Sequence, residues 1–228
     1  MTPRQMQSGF EYELAKHDSS AMVGSDTIFY WLNQAIERLT KLKYSGSEDG
    51  KSFEQTQKRI DDLRTLVKED RLYLLPGIDG LNKPNAYVAE LPQDYWFTVH
   101  EEVLAKFQDI TNTTTTTKRK GVTQCTHDTY NSLVENPYSE HKLHYEDAKP
   151  LRLYNGNTVE IITDGNYTID FYYIRYIKKP ITISVDSADC DLAEHTHSEV
   201  VTRAVNLYLE STSDPRYQTS KIETNNNE

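Results

Sequence analysis

The clearest pattern in the chain is LRLYNGNTVEIITDGNYTIDFYYIRYIKKPITIS, residues 151–184, in which apolar residues recur at every second position. This period of two is typical of a strand with one buried face. The residues predicted to face the core are Val159, Ile161, Tyr167, Ile169, Phe171 and Tyr173, with Glu160, Thr168 and Asp170 facing water. Because Asp164-Gly165-Asn166 tolerates positive φ, the two runs are predicted to form an antiparallel hairpin. Beyond Tyr173 the alternation breaks, which indicates either a bulge or burial of both faces.

A short strand and then a helix are predicted after this segment. The strand covers Ile181–Val185, and Thr196-x-x-Glu199 has the spacing of a capping box at the start of a helix. The apolar stripe of this helix comprises Val200, Val201, Ala204, Val205 and Tyr208. A hairpin with one apolar face followed by an amphipathic helix predicts a sheet that is covered by the helix.

A helical hairpin is predicted in the N-terminal third of the chain. Its first helix begins at Ser25 or Asp26. The apolar stripe of that helix comprises Ile28, Leu32, Ala35, Ile36, Leu39 and Leu42. The second helix begins at the capping box Ser52-x-x-Gln55. Its predicted buried side comprises Phe53, Ile60, Leu63, Leu66 and Val67. Since the loop between the two helices is short, they are predicted to pack antiparallel.

The middle of the chain is predicted to be mostly extended. Strands are expected at residues 72–75, 99–110 and 121–125, a short helix at 127–134, and an aromatic turn at 94–97. The threonine-rich segment 111–120 carries no apolar face, so it is interpreted as the exposed tip of a long hairpin. Its basic residues Lys118, Arg119 and Lys120 are interpreted as solvated, with contact to a phosphate or an acidic neighbour as the alternative.

The predicted fold class is α+β, with an N-terminal helical hairpin packed with an antiparallel β-sheet or small sandwich and closed by a C-terminal helix. The predicted boundaries are an N-terminal arm at 1–24, the helical hairpin at 25–70, the β region with the C-terminal helix at 71–211, and a flexible tail at 212–228. The arm is interpreted as either a helical turn or an extended segment. The tail has too few apolar residues to form a core, so it is expected to be disordered in an isolated subunit. Such ends are expected to be mobile unless a partner, such as a neighbouring subunit, holds them.

Composition excludes several classes of protein. A formal net charge of −10 argues against binding along nucleic acid. No apolar run reaches the length of a membrane span, and residues 1–16 lack a continuous apolar core, so neither a span nor a secretory signal is expected. Cys125 and Cys190 are expected to be reduced thiols. Sixteen tyrosines in a chain with 36% hydrophobic residues favour a surface that becomes an interface.

No catalytic, cofactor-binding or metal-ligating residue is predicted. The candidate metal ligands considered are Cys190, Asp191, His195 and His197. They are interpreted as polar residues at the start of a helix, because no second ligand pair with zinc spacing occurs elsewhere. Cys125, two residues before His127, is a candidate nucleophile. A reactive thiolate needs an electropositive pocket and an orienting partner, and the sequence spacing shows neither. The carboxylate pairs Glu101-Glu102 and Glu146-Asp147 are adjacent in sequence, so they are expected to point to opposite faces and to be solvated.

Seven segments distributed along the chain carry a resemblance to a known family. They are TPRQMQSGFEYELAKHD (2–18), SDTIFYWLNQAIERLTKLKYSG (25–46), FEQTQKRIDDLRTLV (53–67), LPQDYWF (91–97), NPY (136–138), FYYIRYIKKPITI (171–183) and CDLAEHTHSEVVTRAVNLYLES (190–211). In this order they resemble ring proteins at the head–tail junction of crAss-like bacteriophages. More distantly, the chain is similar to the adaptor and tail-tubular proteins of short-tailed phages.

This resemblance implies a structural virion protein that is made in the host cytoplasm and has no enzymatic site, cofactor or membrane. Rings of this kind are homo-oligomers, often dodecamers, stacked between the portal and the tail. The implied partners are therefore further copies of the chain, the portal protein and neighbouring ring or tail proteins. Genome DNA is implied to pass through the ring without specific binding.

Two other functions remain open from the residues. A host-surface module that binds glycans would present exposed rings from Tyr154, Tyr172 or Tyr176, although the helical hairpin argues against such usually all-β modules. A small phage enzyme would need a closed pocket around Cys125, or around His195 and His197.

Overall fold

The structure, a computed structural model, describes residues 1–17, 22–45, 60–108, 115–143, 147–186 and 189–212. The chain divides into two compact units, one formed by residues 1–67 and 179–228 and the other by residues 68–178. The helices with both ends among the described residues are α1 (Pro3–His17), α2 (Ser25–Ser45), α3 (Tyr130–Glu135) and α4 (His197–Ser211). With the strands given below, the fold is α+β, which confirms the predicted class.

Helix α1 is part of the core of the first unit. Met6, Phe10 and Leu14 recur every four residues and are buried, because this spacing places them on one face of a helix. The Phe10 ring meets the Tyr208 ring of α4 edge to face, with centroids 6.0 Å apart. The expectation that this arm needs a neighbouring subunit to become ordered is therefore wrong for α1. The tail from residue 213 onward lies outside the described residues.

Helix α2 buries the predicted stripe from Ile28 to Leu39, while Leu42 at its end is exposed. The second predicted helix is described only from Ile60, so its capping box and Phe53 lie outside the described residues. Residues 60–63 are helical, and a 3-10 turn follows at Arg64–Leu66. Leu63 and Leu66 are buried as predicted, whereas Ile60 is exposed and Val67 opens a strand. The prediction is wrong at these last two positions.

Helix α4 buries the predicted stripe except for Tyr208, which is half-buried. It packs against α1 and α2, whereas a sheet was predicted as its partner. The predicted capping box does not form. The Thr196 hydroxyl donates to the carbonyl of Ala193 at 2.8 Å, and the Glu199 carboxylate accepts from Arg203 one turn later in the helix. Helix α4 therefore starts without a side-chain cap at Thr196, the residue that precedes it.

The second unit is a sandwich of two sheets. Of the two predicted alternatives, a single antiparallel sheet or a small sandwich, the second is therefore the one observed. Its strands are β1 (Val67–Tyr73), β2 (Leu75–Pro76), β3 (Ala86–Glu90), β4 (Tyr95–Gln108), β5 (Thr115–Gly121), β6 (Thr123–Gln124), β7 (Leu151–Asn155), β8 (Thr158–Ile162) and β9 (Thr168–Lys178). One sheet has the order β1-β9-β4-β5 and the other the order β2-β3-β8-β7-β6. Apolar residues of both sheets, such as Val103 and Ile161, share one core.

The hairpin predicted between β8 and β9 does not form, because the two strands belong to different sheets. β8 pairs with β3 and β7, and the tight turn at Gly156, where φ is +61°, joins it to β7. The segment Asp164-Gly165-Asn166 instead carries the chain from one sheet to the other. β8 is covered on both faces, so Glu160, predicted to face water, is only 2% exposed.

A bulge in β9 reverses the face that its later residues present. Leu104 of β4 pairs with Phe171 and Ala105 pairs with Ile169, which leaves Asp170 as an extra residue. Tyr172, Ile174 and Tyr176 consequently point into the core, while Phe171 and Tyr173 are only half-buried. The break in alternation is thus a bulge, but it precedes Tyr173, and the predicted core positions of Phe171 and Tyr173 are wrong.

Four further segments differ from their predicted conformation. Residues 181–185 form no strand, and the Asn33 side-chain amide instead binds the backbone of Ile183 through both its oxygen and its nitrogen at 2.9 Å. Residues 95–97 belong to β4 rather than to a turn. A long hairpin does form, but its return strand is β5 at Thr115–Gly121, so residues 115–120, predicted as its exposed tip, pair with β4 instead. The predicted return strand at 121–125 is also wrong, because Thr123–Gln124 pairs with β7 in the other sheet. Lys120 is buried, and its ammonium donates to the Ala148 carbonyl at 2.6 Å.

Candidate assembly surface

The candidate metal ligands of the sequence do not converge. His195 is exposed and places Nε2 2.7 Å from a carboxylate oxygen of Asp62. His197 is buried, with Nε2 3.0 Å from the Leu192 carbonyl and Nδ1 2.7 Å from the Met1 amino nitrogen. Within the described ranges, no three His, Cys, Asp or Glu side chains are grouped as metal ligands.

Cys125 does not have the surroundings of a nucleophile. Its thiol is half-buried, and burial raises its pKa, which favours the neutral thiol over the thiolate. His127 turns its Nε2 to the Tyr154 carbonyl at 3.1 Å. The arrangement lacks the activated thiolate that a cysteine enzyme requires.

Glu101 and Glu102 point to opposite faces of the sheet, as predicted for neighbours in a strand. Glu102 is on the outer face, but Glu101 is buried inside the sandwich, so its predicted solvation is wrong. The Glu101 carboxylate lies 3.2 Å from Arg152 and accepts from the Tyr172 hydroxyl at 2.8 Å. Its role is structural, because these partners enclose it. Of the pair Glu146-Asp147, only Asp147 is among the described residues.

The three rings considered for glycan binding form no exposed platform. Tyr172 and Tyr176 are buried, and Tyr154 is half-buried under the Arg152 guanidinium, which lies 4.1 Å from its ring centroid. The Tyr154 hydroxyl is hydrogen-bonded to that of Tyr95 at 2.9 Å. Ring faces engaged in this way are not available to stack on a sugar.

The outer face of the four-stranded sheet is a charged surface of the second unit. It forms an open groove of about 480 Å³ lined by residues of all four strands, among them Glu69, Asp70, Arg71, His100, Glu102, Arg119, Tyr173 and Arg175. Alternating charges are paired across the strands here. Arg175 lies 2.5 Å from Glu69, and Arg119 lies 3.2 Å from Glu102. Hydrogen bonds from His100 and then from Arg119 lower the pKa of Glu102.

Aromatic rings extend this charged face towards β1 and β5. The Arg119 guanidinium lies 4.4 Å from the Tyr173 ring centroid, and that of Arg71 lies 4.7 Å from the Phe171 centroid. The bulge in β9 turns both rings outward, which the simple alternation of the sequence did not predict. Flat arginine and aromatic groups of this kind are enriched in protein–protein interfaces.

An exposed apolar loop follows β2, and the sequence reasoning missed it. Leu75 at the start of β2 is 59% exposed, and Ile78 and Leu81 in the loop are 65% and 77% exposed. The loop is held from inside, since Asn82 accepts from the Ile78 amide at 2.9 Å and donates to the buried Glu160 carboxylate at 2.7 Å. The signal in the sequence was an apolar residue on either side of Pro76-Gly77 and Asp79-Gly80.

The chain matches known proteins of one kind. Residues 1–220 match the family described as phage tail ring protein 3/4. The chain is also similar to the ring protein 4/5 of Bacteroides phage crAss001, with 27% identity over 77% of this chain and 78% of that protein.

Proposed function

The chain belongs to the phage tail ring protein 3/4 family of structural virion components, and we propose that it forms a homo-oligomeric ring at the junction of head and tail. The match over residues 1–220 carries this proposal, because it covers both compact units. The ring joins the portal to the tail and contacts neighbouring ring proteins. By its resemblance to rings of this position, we propose a dodecamer that acts without enzymatic activity.

A ring requires two different patches on each copy, each docking on the other patch of the next copy. The outer face of the four-stranded sheet and the apolar loop around Ile78 and Leu81 are the surfaces of the second unit that suit such contacts. No helix among the described residues is both long and apolar enough to cross a membrane.

We also propose that genome DNA passes through the ring without binding to it. The net charge of −10 supports this role, because an acidic surface repels phosphate over roughly a Debye length, about 8 Å at physiological salt. Residues 186–228 concentrate this charge, with nine acidic and three basic residues. We propose that residues 212–228 contact the adjacent ring.

Electron microscopy of the purified protein, with native mass spectrometry for the number of copies, tests the ring directly. Closed rings with a central opening are the expected result, and a monomer at all concentrations would contradict the proposal. A fluorescence anisotropy titration with duplex DNA at physiological salt tests the passage, and tight binding would refute that part. Deletion of residues 212–228 is expected to leave single rings intact while it weakens stacking in virions.

A further inference from the structure

This inference rests on the proposed ring and concerns the two outer strands of the four-stranded sheet. β1 lies at one edge, beside β9, and β5 lies at the other edge, beside β4. Side chains 67–71 of β1 and 115–119 of β5 are exposed. In the described part of the chain, therefore, both edges present backbone groups that can accept another strand.

The two edge strands run in opposite directions. Tyr73 meets the ring of Phe171, whereas Glu69, four residues earlier, pairs with Arg175, four residues later. Partner numbers that rise on one strand and fall on the other indicate that β1 is antiparallel to β9. β9 is antiparallel to β4, and β4 to β5. The directions alternate across the sheet, so β1 is antiparallel to β5.

Because strand direction alternates across the four strands, the sheet of a second copy that is placed in the same orientation can continue the first sheet. Edge β1 of one copy then meets edge β5 of the next, and the added pair is antiparallel like the others. We propose that β1 and β5 of adjacent copies pair in this way, so that the four-stranded sheets join into one continuous sheet around the ring. This contact joins two different edges and is therefore heterologous, as ring closure requires.

Backbone geometry shows which groups of β1 are directed away from its own sheet. The Leu74 amide donates to the Asp170 carbonyl at 2.9 Å, so the even-numbered residues of β1 turn their amides towards β9. The odd-numbered residues Glu69, Arg71 and Tyr73 turn theirs outward. The Arg71 amide confirms this direction, because it donates to the side chain of Asp70 at 2.7 Å rather than to a strand.

Side-chain charge favours the pairing of β1 with β5 over the pairing of two β5 strands. β5 carries Lys118 and Arg119 at its exposed end and no acidic residue. Two β5 strands placed edge to edge bring like charges together, which is destabilising across a strand pair. β1 carries Glu69 and Asp70 between Lys68 and Arg71, so its own charges balance, and its two carboxylates offer the β5 cations opposite charge. The threonines 115–117 of β5 add side chains that favour extended structure.

Glu69→Pro tests the pairing. Proline at this position removes an outward amide and places its ring on the edge, but it removes no hydrogen bond to β9. The matched control is Glu69→Ala, which loses the same side chain and its ion pair with Arg175 but keeps the amide. Mass photometry and electron microscopy are expected to show rings for the wild type and for Glu69→Ala, and loss of the ring for Glu69→Pro.

The outcomes separate this inference from the proposed function. A wild type that stays monomeric refutes the ring itself. Rings formed by Glu69→Pro as readily as by the wild type refute edge pairing and leave the ring standing. Circular dichroism shows whether Glu69→Pro folds, and if it does not, hydrogen exchange of the wild-type ring decides. Slow exchange at Glu69 and Tyr73 supports the pairing, and exchange at the rate of an open edge overturns it.

Discussion

The guanidinium of Arg152 on β7 lies 3.2 Å from the carboxylate of Glu101 on β4, so a buried ion pair joins the two sheets of the sandwich. The Tyr172 hydroxyl donates to the other carboxylate oxygen. Burial raises the pKa of Glu101, and the charge of Arg152 opposes that rise. Each charge has left water, so each depends on the other for compensation.

Arg152→Met is expected to destabilise the protein by about 3–5 kcal/mol, because it leaves the Glu101 carboxylate buried without a counter-charge. Urea unfolding followed by tyrosine fluorescence measures this loss. Adding Glu101→Gln to the same variant should recover part of the stability, since the amide carries no charge. If Arg152→Met unfolds like the wild type, the pair does not hold the sheets together.

Asn82→Ala is expected to cost about 1–3 kcal/mol, because the Asn82 amide donates to the buried carboxylate of Glu160. The same change frees the Ile78 amide and loosens the exposed apolar loop. Chemical unfolding measures the loss of stability. In the double variant with Glu160→Gln, the penalty should shrink, and an equal penalty in both variants would show that the carboxylate is not its source.

Two glycines with positive φ should respond differently to alanine. Gly156 has φ of +61° and open space around its Cβ position, so Gly156→Ala is expected to cost about 1 kcal/mol of backbone strain. At Gly165, φ is +90° and an added Cβ would lie 3.0 Å from the Asn85 amide nitrogen. Gly165→Ala is therefore expected to cost more, about 1–3 kcal/mol. Thermal melts compare the two variants, and the reverse order would contradict this account.

Stability should fall as the pH drops through about 6.5, the ordinary pKa of histidine. Burial lowers the pKa of His197 in the first unit and of His141 in the second. Just below this pH, these histidines are protonated in the unfolded chain but still neutral in the folded state. Proton binding therefore favours the unfolded state. Melting temperatures between pH 7.5 and 5.5 measure the slope.

His197→Gln provides the control, because glutamine keeps a donor for the Leu192 carbonyl but does not titrate. Its melting temperature should depend less on pH than that of the wild type, with His141 accounting for part of what remains. A slope as steep as that of the wild type would show that His197 does not contribute to the effect.

Local patterns predicted helices α2 and α4 correctly. Their apolar stripes follow from side-chain spacing, which acts within a few turns of a helix. The fold class followed from the order of these elements. Helix α1 was also readable, because Met6, Phe10 and Leu14 have helical spacing, but its polar neighbours suggested a loose arm.

The sequence did not show which strands become neighbours. The run from Val159 to Tyr173 was interpreted as one hairpin, because Asp164-Gly165-Asn166 suits a tight turn. Such a segment turns the chain equally well when it crosses between sheets, and pairing partners far along the chain decide which occurs. β8 pairs with β3 and β7, while β9 pairs with β1 and β4.

The buried polar groups were the least predictable part of the candidate surfaces. Glu101, Lys120 and Glu160 have the side chains of solvated residues, and only their partners Arg152, Ala148 and Asn82 make burial tolerable. These partners lie between 28 and 78 residues away in sequence. No local pattern carries that information.

For this protein, the sequence by itself determined helices α2 and α4, the α+β fold class and, through its likeness to phage ring proteins, the family to which it belongs. Tertiary structure decided which faces are buried, because one extra residue at Asp170 exchanges the two faces of β9. It also decided that β1 and β5 lie at the outer edges of one sheet, since strand order depends on packing between distant segments.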